Sequence, residues 1–263
     1  MDDLKIAKIK TAIRSNFEES PAIYQAFEER RGFFRNLNAK LLARMAIPAG
    51  ARILDVGCGT GASSIHMLQT VTDSEVWGLD ISPAMLCAAR ERGAHMPRLH
   101  FVEGDGARLR DAVDGPFEAI VYSASIFLIP DYPESLKQAR ELLRQGGKVG
   151  LTFMNGFYQS DGENALAGAD RAAQEGLSVK RPVKLAEFVE VFAGIFHDPL
   201  TWHEDLRLPV NVVREFFSVP AMSAGLFPGL PYDERLLKVQ RLFNRLSDRE
   251  NYFRWNFMVG QVT

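Results

Sequence analysis

The stretch Arg52-Ile-Leu-Asp-Val-Gly-Cys-Gly-Thr-Gly-Ala62 decides how this chain is read. A short apolar run, Ile53–Val56, carries an acid and passes into Gly57, Gly59 and Gly61, which open a helix. Side chains at those three positions would keep a ligand off the backbone, so alternate glycines there point to close contact with a small molecule.

Downstream of that turn, strands and helices alternate. Val76–Leu79 reads as a second strand ending at Asp80, and Ser82-Pro83 opens a helix reaching Arg92. Leu99–Glu103 is a third strand, leading into Gly104-Asp105-Gly106. Ala119–Tyr122 is a fourth, followed by a helix from Pro133 to Arg144, which Gly146-Gly147 breaks before a fifth strand, Lys148–Phe153. Repeated βα units with apolar strands predict a parallel sheet covered on both faces, with its ligand beyond the carboxyl ends of the strands.

Upstream, residues 1–49 read as a helical cap. Ser20-Pro21 supplies an N-cap and a first-turn proline, and Ile23, Phe27, Phe34, Leu37 and Leu41 recur at helical spacing. The core that carries these strands spans 50–154. Residues 155–199, with helices at Glu163–Glu175 and Val183–Phe196, are too long for a plain connection and read as a lid. The remainder, 200–263, holds a sixth strand at Leu200–Leu206, helices near Val210–Ser218 and Tyr232–Leu246, and a terminal strand at Tyr252–Val262.

The 263 residues suffice for one large domain, and a net charge of −2 gives no bulk attraction to nucleic acid or anionic membrane. Two cysteines cannot build a disulfide framework or a zinc site, and no spacing of metal ligands is present. The charged, alternating N-terminus lacks the apolar core of a signal peptide, and no apolar run is long enough to span a bilayer. These features predict a cytoplasmic protein.

Two ligands fit the glycine turn. A dinucleotide wants G-x-G-x-x-G/A, which Gly57, Gly59 and Ala62 satisfy, with Asp80 as the ribose acid. S-adenosylmethionine (SAM) has no pyrophosphate and carries a cation. Asp55 beside the turn suits that cation better than a pyrophosphate. Asp105 is placed to accept from an adenine amino group, and the chain ends in a late strand rather than a second mononucleotide half.

Taken together, the glycine stretch, Gly78-Leu-Asp-Ile-Ser-Pro-Ala-Met-Leu86, Glu103-Gly-Asp105 and Leu142-Leu-Arg-Gln-Gly-Gly-Lys-Val149 resemble the class I SAM-dependent methyltransferases. Within them the chain looks most like the quinone-methylase and biotin-pathway branch. The resemblance implies a Rossmann-like α/β fold: a mostly parallel seven-stranded sheet with an antiparallel last strand and helices on both faces. It implies that Asp55 and the backbone of Gly57, Gly59 and Gly61 hold the methionine end, and that Asp80 takes the ribose hydroxyls. Ile81 would pack on the adenine, Asp105 and Gly106 would meet its edge, and Ser123 would line the methyl-donor end. The product would be S-adenosylhomocysteine (SAH). Gln145 stands where the family usually has proline, and Tyr122-Ser-Ala-Ser-Ile-Phe127 lacks the Asn/Asp-Pro-Pro-Tyr pattern of enzymes that methylate amines of nucleic acid.

Methyl transfer is an in-line displacement that alignment alone accelerates greatly, so no conspicuous base is required. Tyr24, on the cap, is a candidate to close over the donor, and Tyr122, Asn155 and Tyr158 are candidates to orient the acceptor. Cys58 reads as packing. Phe33, Phe34, Phe127, Phe157, Met222 and the apolar stretch Val219–Pro231 suggest an apolar or aromatic small-molecule acceptor. Lys238, Arg241, Arg245 and Arg249 share a helix flank on which an acidic carrier protein could dock. A SAM-binding protein without transferase activity is the remaining alternative.

Overall fold

A computed structural model describes residues 2–178, 185–246 and 251–263. Helices α1 (Asp3–Glu18), α2 (Pro21–Arg31) and α3 (Phe33–Met45) precede β1 (Arg52–Val56), α4 (Ala62–Thr70), β2 (Glu75–Asp80), α5 (Pro83–Gly93) and β3 (Leu99–Glu103). There follow β4 (Phe117–Ser123), α6 (Tyr132–Leu142), β5 (Leu143–Tyr158), α7 (Ala165–Ala173) and α8 (Leu185–Ile195). The chain closes with β6 (His197–Leu206), α9 (Val210–Phe217), α10 (Pro220–Leu226), α11 (Tyr232–Phe243) and β7 (Tyr252–Gln261).

The seven strands form one sheet in the order β3-β2-β1-β4-β5-β7-β6. Only β7 runs antiparallel, pairing Thr152 with Phe257 on one side and Trp202 with Phe257 on the other. Order reverses between β1 and β4, which places the switch point of the sheet beside the glycine turn.

Strand alternation divides the interior into two cores. Ile53, Ala119, Val121, Phe253, Trp255 and Phe257 face the core under α3, α4 and α9. Leu54, Val56, Ile120, Tyr122, Leu151 and Phe153 face the other, against α6 and α8. The first face is dense in aromatic edges: Phe33 meets Trp255 at 5.6 Å and Phe216 meets Phe253 at 5.3 Å, centroid to centroid.

Several local expectations are corrected. Ser20 does not cap α2. Its hydroxyl donates to Asn16 O at 2.7 Å and accepts from the Ala221 N–H at 3.0 Å, so it ties the α1–α2 corner to α10. Ile23 is 39% exposed, because α2 buries only the stripe that contains Phe27 and Glu28. The fifth strand is far longer than expected: it starts at Leu143, passes through Gly146-Gly147 with a shift of register, and continues to Tyr158 against β7. The apolar stretch 219–231 holds a helix, α10, that proline-flanked periodicity alone did not suggest.

The stretch expected as a lid has two destinations. Residues from Asn164 to Ser178 stand against a cavity beside β5. Helix α8 instead covers the sheet, where Phe188 stacks on Tyr132 at 4.8 Å and meets Phe153 at 5.1 Å. The helix is amphipathic: Phe188 and Phe192 form its buried stripe, and Glu187 and Glu190 lie on its exposed face. The expected helix start, Val183 and Lys184, lies outside the described residues. Strand β6 carries a bulge near its start, with Asp198 at φ 47° beside Pro199.

Glycine decides how closely α3 sits on the sheet. A Cβ on Gly150 would overlap the Met45 sulfur and lie 3.2 Å from Leu41 Cδ1. Gly150→Ala should therefore cost about 1–3 kcal/mol of stability, the range for overpacking a tight core. Combining it with Met45→Ala should recover part of that loss. Denaturant unfolding of both singles and the double variant reads the coupling, and strict additivity would contradict the contact.

Candidate active site

The tip of β2 organises the site. Asp80 Oδ2 accepts the Gly59 N–H and Oδ1 accepts the Ser82 N–H, at 2.8 and 2.9 Å. Above it, Leu79 O receives the N–H groups of both Gly57 and Cys58, at 2.7 and 3.0 Å. The turn needs its glycines for two different reasons. Gly57, at φ +73°, has the Ser125 side chain where a Cβ would stand, 2.5 Å away. Gly59, at φ +56°, faces open space.

A cavity of about 90 Å³ opens in front of this turn. Gly57, Gly59, Asp80, Ile81, Asp105 and Gly106 all line it, so the structure brings together six residues that sequence alone had grouped. Ser123 lines it too, and its buried hydroxyl has no hydrogen-bond partner. Tyr24 forms part of the same wall, with its ring stacked on Phe34 at 4.9 Å. Burial, reinforced by the nearby Glu28, Asp80 and Asp55 charges, pushes the Tyr24 phenol well above its ordinary range. It is therefore a hydrogen-bond donor at neutral pH.

Four expected site residues are placed elsewhere. Asp55 is fully buried behind the turn and does not line the cavity. Its Oδ2 accepts from the Ser63 and Ser64 hydroxyls, both at 2.6 Å, while Oδ1 has no partner. Strand parity explains this, because Asp55 points to the α4 face. Gly61 begins α4 in the left-handed region, and a Cβ there would strike Phe101 at 2.9 Å. Its role is packing.

Tyr122 points into the opposite core. The Ser135 hydroxyl spends its single hydrogen on Gly106 O, so Tyr122 must donate to Ser135 Oγ, at 2.8 Å. Tyr122 thus supports the Gly106 turn from behind. Tyr158 stacks on Tyr252 at 5.5 Å and donates to Asn155 O rather than lining either cavity.

A second cavity, of about 320 Å³, continues from the first, and Phe34, Ala124, Leu128 and Met222 line both. Asn155 lines it, together with Phe127, Phe157 and Trp255. Ala124, at the junction, has φ 59°, a left-handed conformation that a non-glycine residue holds only under constraint. The constraint is visible: the Ala124 N–H donates to Thr152 Oγ1 at 2.9 Å, and the Ser125 hydroxyl donates to Val56 O.

Sequence reasoning placed helices over residues 1–49 but missed that α1 lines the site. Its residues Lys10, Ile13 and Phe17 line the first cavity, and Lys10 Nζ donates to Asp105 Oδ2 at 2.5 Å. Arg14–Glu103 and Ser82–Glu18 add two further ties across the strand tips, and the buried Arg235 of α11 holds Glu19. The spacing of Lys10, Ile13 and Phe17 along one helical face was the available signal. On the basic flank, Lys238 and Arg241 both approach Glu175, and Arg249 lies outside the described residues.

No helix among the described residues is long and apolar enough to cross a membrane, and no three His, Cys, Asp or Glu residues there are grouped to hold a metal ion. Residues 53–147 match the methyltransferase domain family. In its core motifs and in its fold the chain is similar to the class I SAM-dependent methyltransferases.

It is 37% identical over 132 residues, 50% of this chain and 48% of the relative, to trans-aconitate 2-methyltransferase of Methylobacterium radiotolerans. It is 34% identical over 106 residues, 40% of this chain and 44% of the relative, to demethylmenaquinone methyltransferase of Staphylococcus haemolyticus. The chain thus spans about half the length of these curated relatives. In fold it is similar to a Haemonchus contortus phosphoethanolamine N-methyltransferase solved with phosphomonomethylethanolamine and SAH, at TM-score 0.58 and 21% identity, covering 86% of this chain and 52% of that one.

The Asp55 carboxyl gives a testable pH dependence. Burial pushes its pKa up to about 6, against the lowering by the two serine hydroxyls. The native state then holds a proton that the unfolded chain has already released, so stability falls as pH rises from about 4 through 6. Asp55→Asn keeps an acceptor for both serines and removes the charge. It should raise stability at pH 7.5 by up to about 3 kcal/mol, with the gain disappearing below about pH 4. Thermal melts of both proteins across that range check the sign, and a gain independent of pH would contradict it.

Proposed function

We propose that this protein transfers a methyl group from SAM to a small organic acceptor by in-line displacement. The observation that carries this reading is the pair of joined cavities at the carboxyl ends of the strands, the first lined by the glycine turn together with Lys10, Asp80 and Asp105, the second lined by Phe127, Phe157 and Trp255. The first fits the donor. Gly59 opens onto it without a side chain, Ser123 offers an unpartnered hydroxyl, and Asp80 and Asp105 supply carboxylate oxygens.

Bound SAM supplies an electrophilic methyl group on a sulfonium. The chain's own residues position and enclose. Asp80, already fixed by two backbone N–H groups, has lone pairs left to accept from ribose hydroxyls, and Ile81 offers an apolar face beside them. Asp105 and the Gly106 backbone take the adenine edge, and Gly57 and Gly59 the methionine end. Asp55 acts through Ser63 and Ser64 on the start of α4 rather than by direct contact. Tyr24 and Phe34 shield the junction from water, which strengthens electrostatic alignment inside. Asn155 is retained as the acceptor-orienting side chain.

The names of the relatives above, trans-aconitate and demethylmenaquinone methyltransferase, support an acceptor that is a small acid or a ring compound. A carrier-bound acyl group has less support, because Lys238 and Arg241 share Glu175 rather than presenting free cations. Two unpaired cysteines, Cys58 and Cys87, accord with a reducing cytoplasmic setting.

Asp80→Ala should weaken SAH binding by about 10–150-fold, the equivalent of the 1.5–3 kcal/mol carried by a charge-assisted hydrogen bond. Isothermal titration calorimetry reads this, and unchanged affinity would remove the ribose assignment. Isotope-labelled SAM with an acceptor panel tests transfer itself. Tight SAH binding with no labelled product from any acceptor would favour a non-catalytic SAM-binding protein.

A further inference from the structure

We propose that Lys10 of α1 competes with the adenine of the methyl donor for Asp105, so that the donor binds by displacing an ion pair the protein makes with itself. This rests on the reading of Asp105 as the acceptor for the adenine edge. It makes Lys10 a residue that sets donor affinity.

Both oxygens of Asp105 are engaged. Oδ1 accepts the Ala107 N–H at 2.9 Å, which fixes the turn after β3, and Oδ2 accepts from Lys10 Nζ at 2.5 Å. The two side chains are only 19% and 27% exposed, so the pair is partly withdrawn from water. An adenine amino group that approaches this carboxylate finds Oδ1 committed to the backbone and must share or take Oδ2. It is a neutral donor, and the ammonium it meets there makes the stronger, charge-assisted class of bond.

Space favours displacement over sharing. The polar groups of a donor site stand around the first cavity, but its volume of about 90 Å³ is well below the roughly 300–1,000 Å³ of small-molecule sites. Lys10, Ile13 and Phe17 of α1 close one side of it. Helix α1 is built to give way there, since it has no fully buried residue. Its other ties to the strand tips among the described residues are Arg14–Glu103, with both side chains about half exposed, and Glu18, which accepts from the Ser82 hydroxyl at 2.9 Å. The far end is held differently. Buried Arg235 reaches Asn16 and Glu19, and Ser20 Oγ accepts the Ala221 N–H. The helix can therefore lift at Lys10 while staying pinned near Ser20, and the long lysine stem can swing to solvent without carrying the backbone with it.

The exchange has a direction with salt. Lys10 and Asp105 carry full opposite charges, and added salt weakens a pair that solvent reaches. The bond from an adenine amino group to Asp105 has a single charged partner, and SAH is a zwitterion without net charge. Salt therefore penalises the competitor more than the ligand, and donor affinity rises with ionic strength.

Isothermal titration calorimetry with SAH tests this on the native protein, Lys10→Met, Lys10→Gln and Lys8→Met. Methionine and glutamine match lysine in helix propensity and remove the charge. At about 50 mM KCl both Lys10 variants should bind SAH about three- to tenfold more tightly than native. Raising KCl to about 500 mM should tighten native binding by about threefold or more and leave the two Lys10 variants within about twofold of their own values. Lys8 is exposed on the same helix, and Lys8→Met should follow the native protein at both salts.

SAH affinity that is unchanged or weaker in both Lys10 variants overturns the competition and leaves the donor reading standing. So does native affinity that falls as salt rises. A gain confined to Lys10→Met also overturns it, because apolar contact with the ligand rather than release of Asp105 would then be the cause. No SAH binding by the native protein or any variant removes the donor reading and the competition together.

Discussion

One carboxylate holds the loops of this site in register. Asp80 binds the Gly59 N–H through one oxygen and the Ser82 N–H through the other, while its own carbonyl receives the Gly104 N–H at 3.0 Å. A single residue at the end of β2 thereby links the turn after β1, the start of α5 and the turn after β3. Burial raises its pKa, and the three backbone N–H groups around it, from Ser82, Gly59 and Ile81, work against that rise. The cost of a buried charge is offset by the same bonds that shape the cavity. Any ligand hydroxyl that approaches Asp80 meets an acceptor that needs no rearrangement to receive it.

Much of this was legible before any coordinates. The five core strands, the glycine turn and the acids after β2 and β3 follow from apolar runs punctuated by glycine, because a parallel sheet buried on both faces leaves that signature. Side-chain direction was not legible. Asp55 and Tyr122 sit close in sequence to the site, yet strand parity sends the first behind the turn and the second into the opposite core. A motif fixes which residue stands at a strand tip, and a shift by one position inverts the face it shows.

Long-range packing was likewise invisible. Helix α8 reads as part of an insertion, but its aromatic residues find partners on α6 and β5 that lie tens of positions away. Helix α1 buries no residue fully, so its periodicity carried little signal, although three of its side chains close the first cavity. The Gly146-Gly147 pair does not end the preceding helix, which stops at Leu142; it lies within the long β5, where its N–H and C=O groups pair with Val262, just past the last strand.

The two cavities divide their chemistry sharply. Charge is gathered on the donor side, where Lys10, Asp80 and Asp105 lie within one wall, and the described residues beyond Ala124 offer only rings, aliphatic chains, amides and a hydroxyl. The left-handed Ala124 is the hinge point between these environments, fixed by Thr152 from the neighbouring strand. A small side chain there leaves the passage between the two cavities open.

The bulge at Asp198–Pro199 has a consequence for the molecule's life among its own copies. Strand β6 is an outer edge of the sheet, and an unbroken edge presents backbone groups to which another chain can add a strand. Here the first residues of that edge are kinked, Pro199 has no N–H to offer, and His203, Glu204 and Asp205 follow at its far end. Extension of the sheet from one molecule into the next is thereby discouraged along the edge that β6 forms.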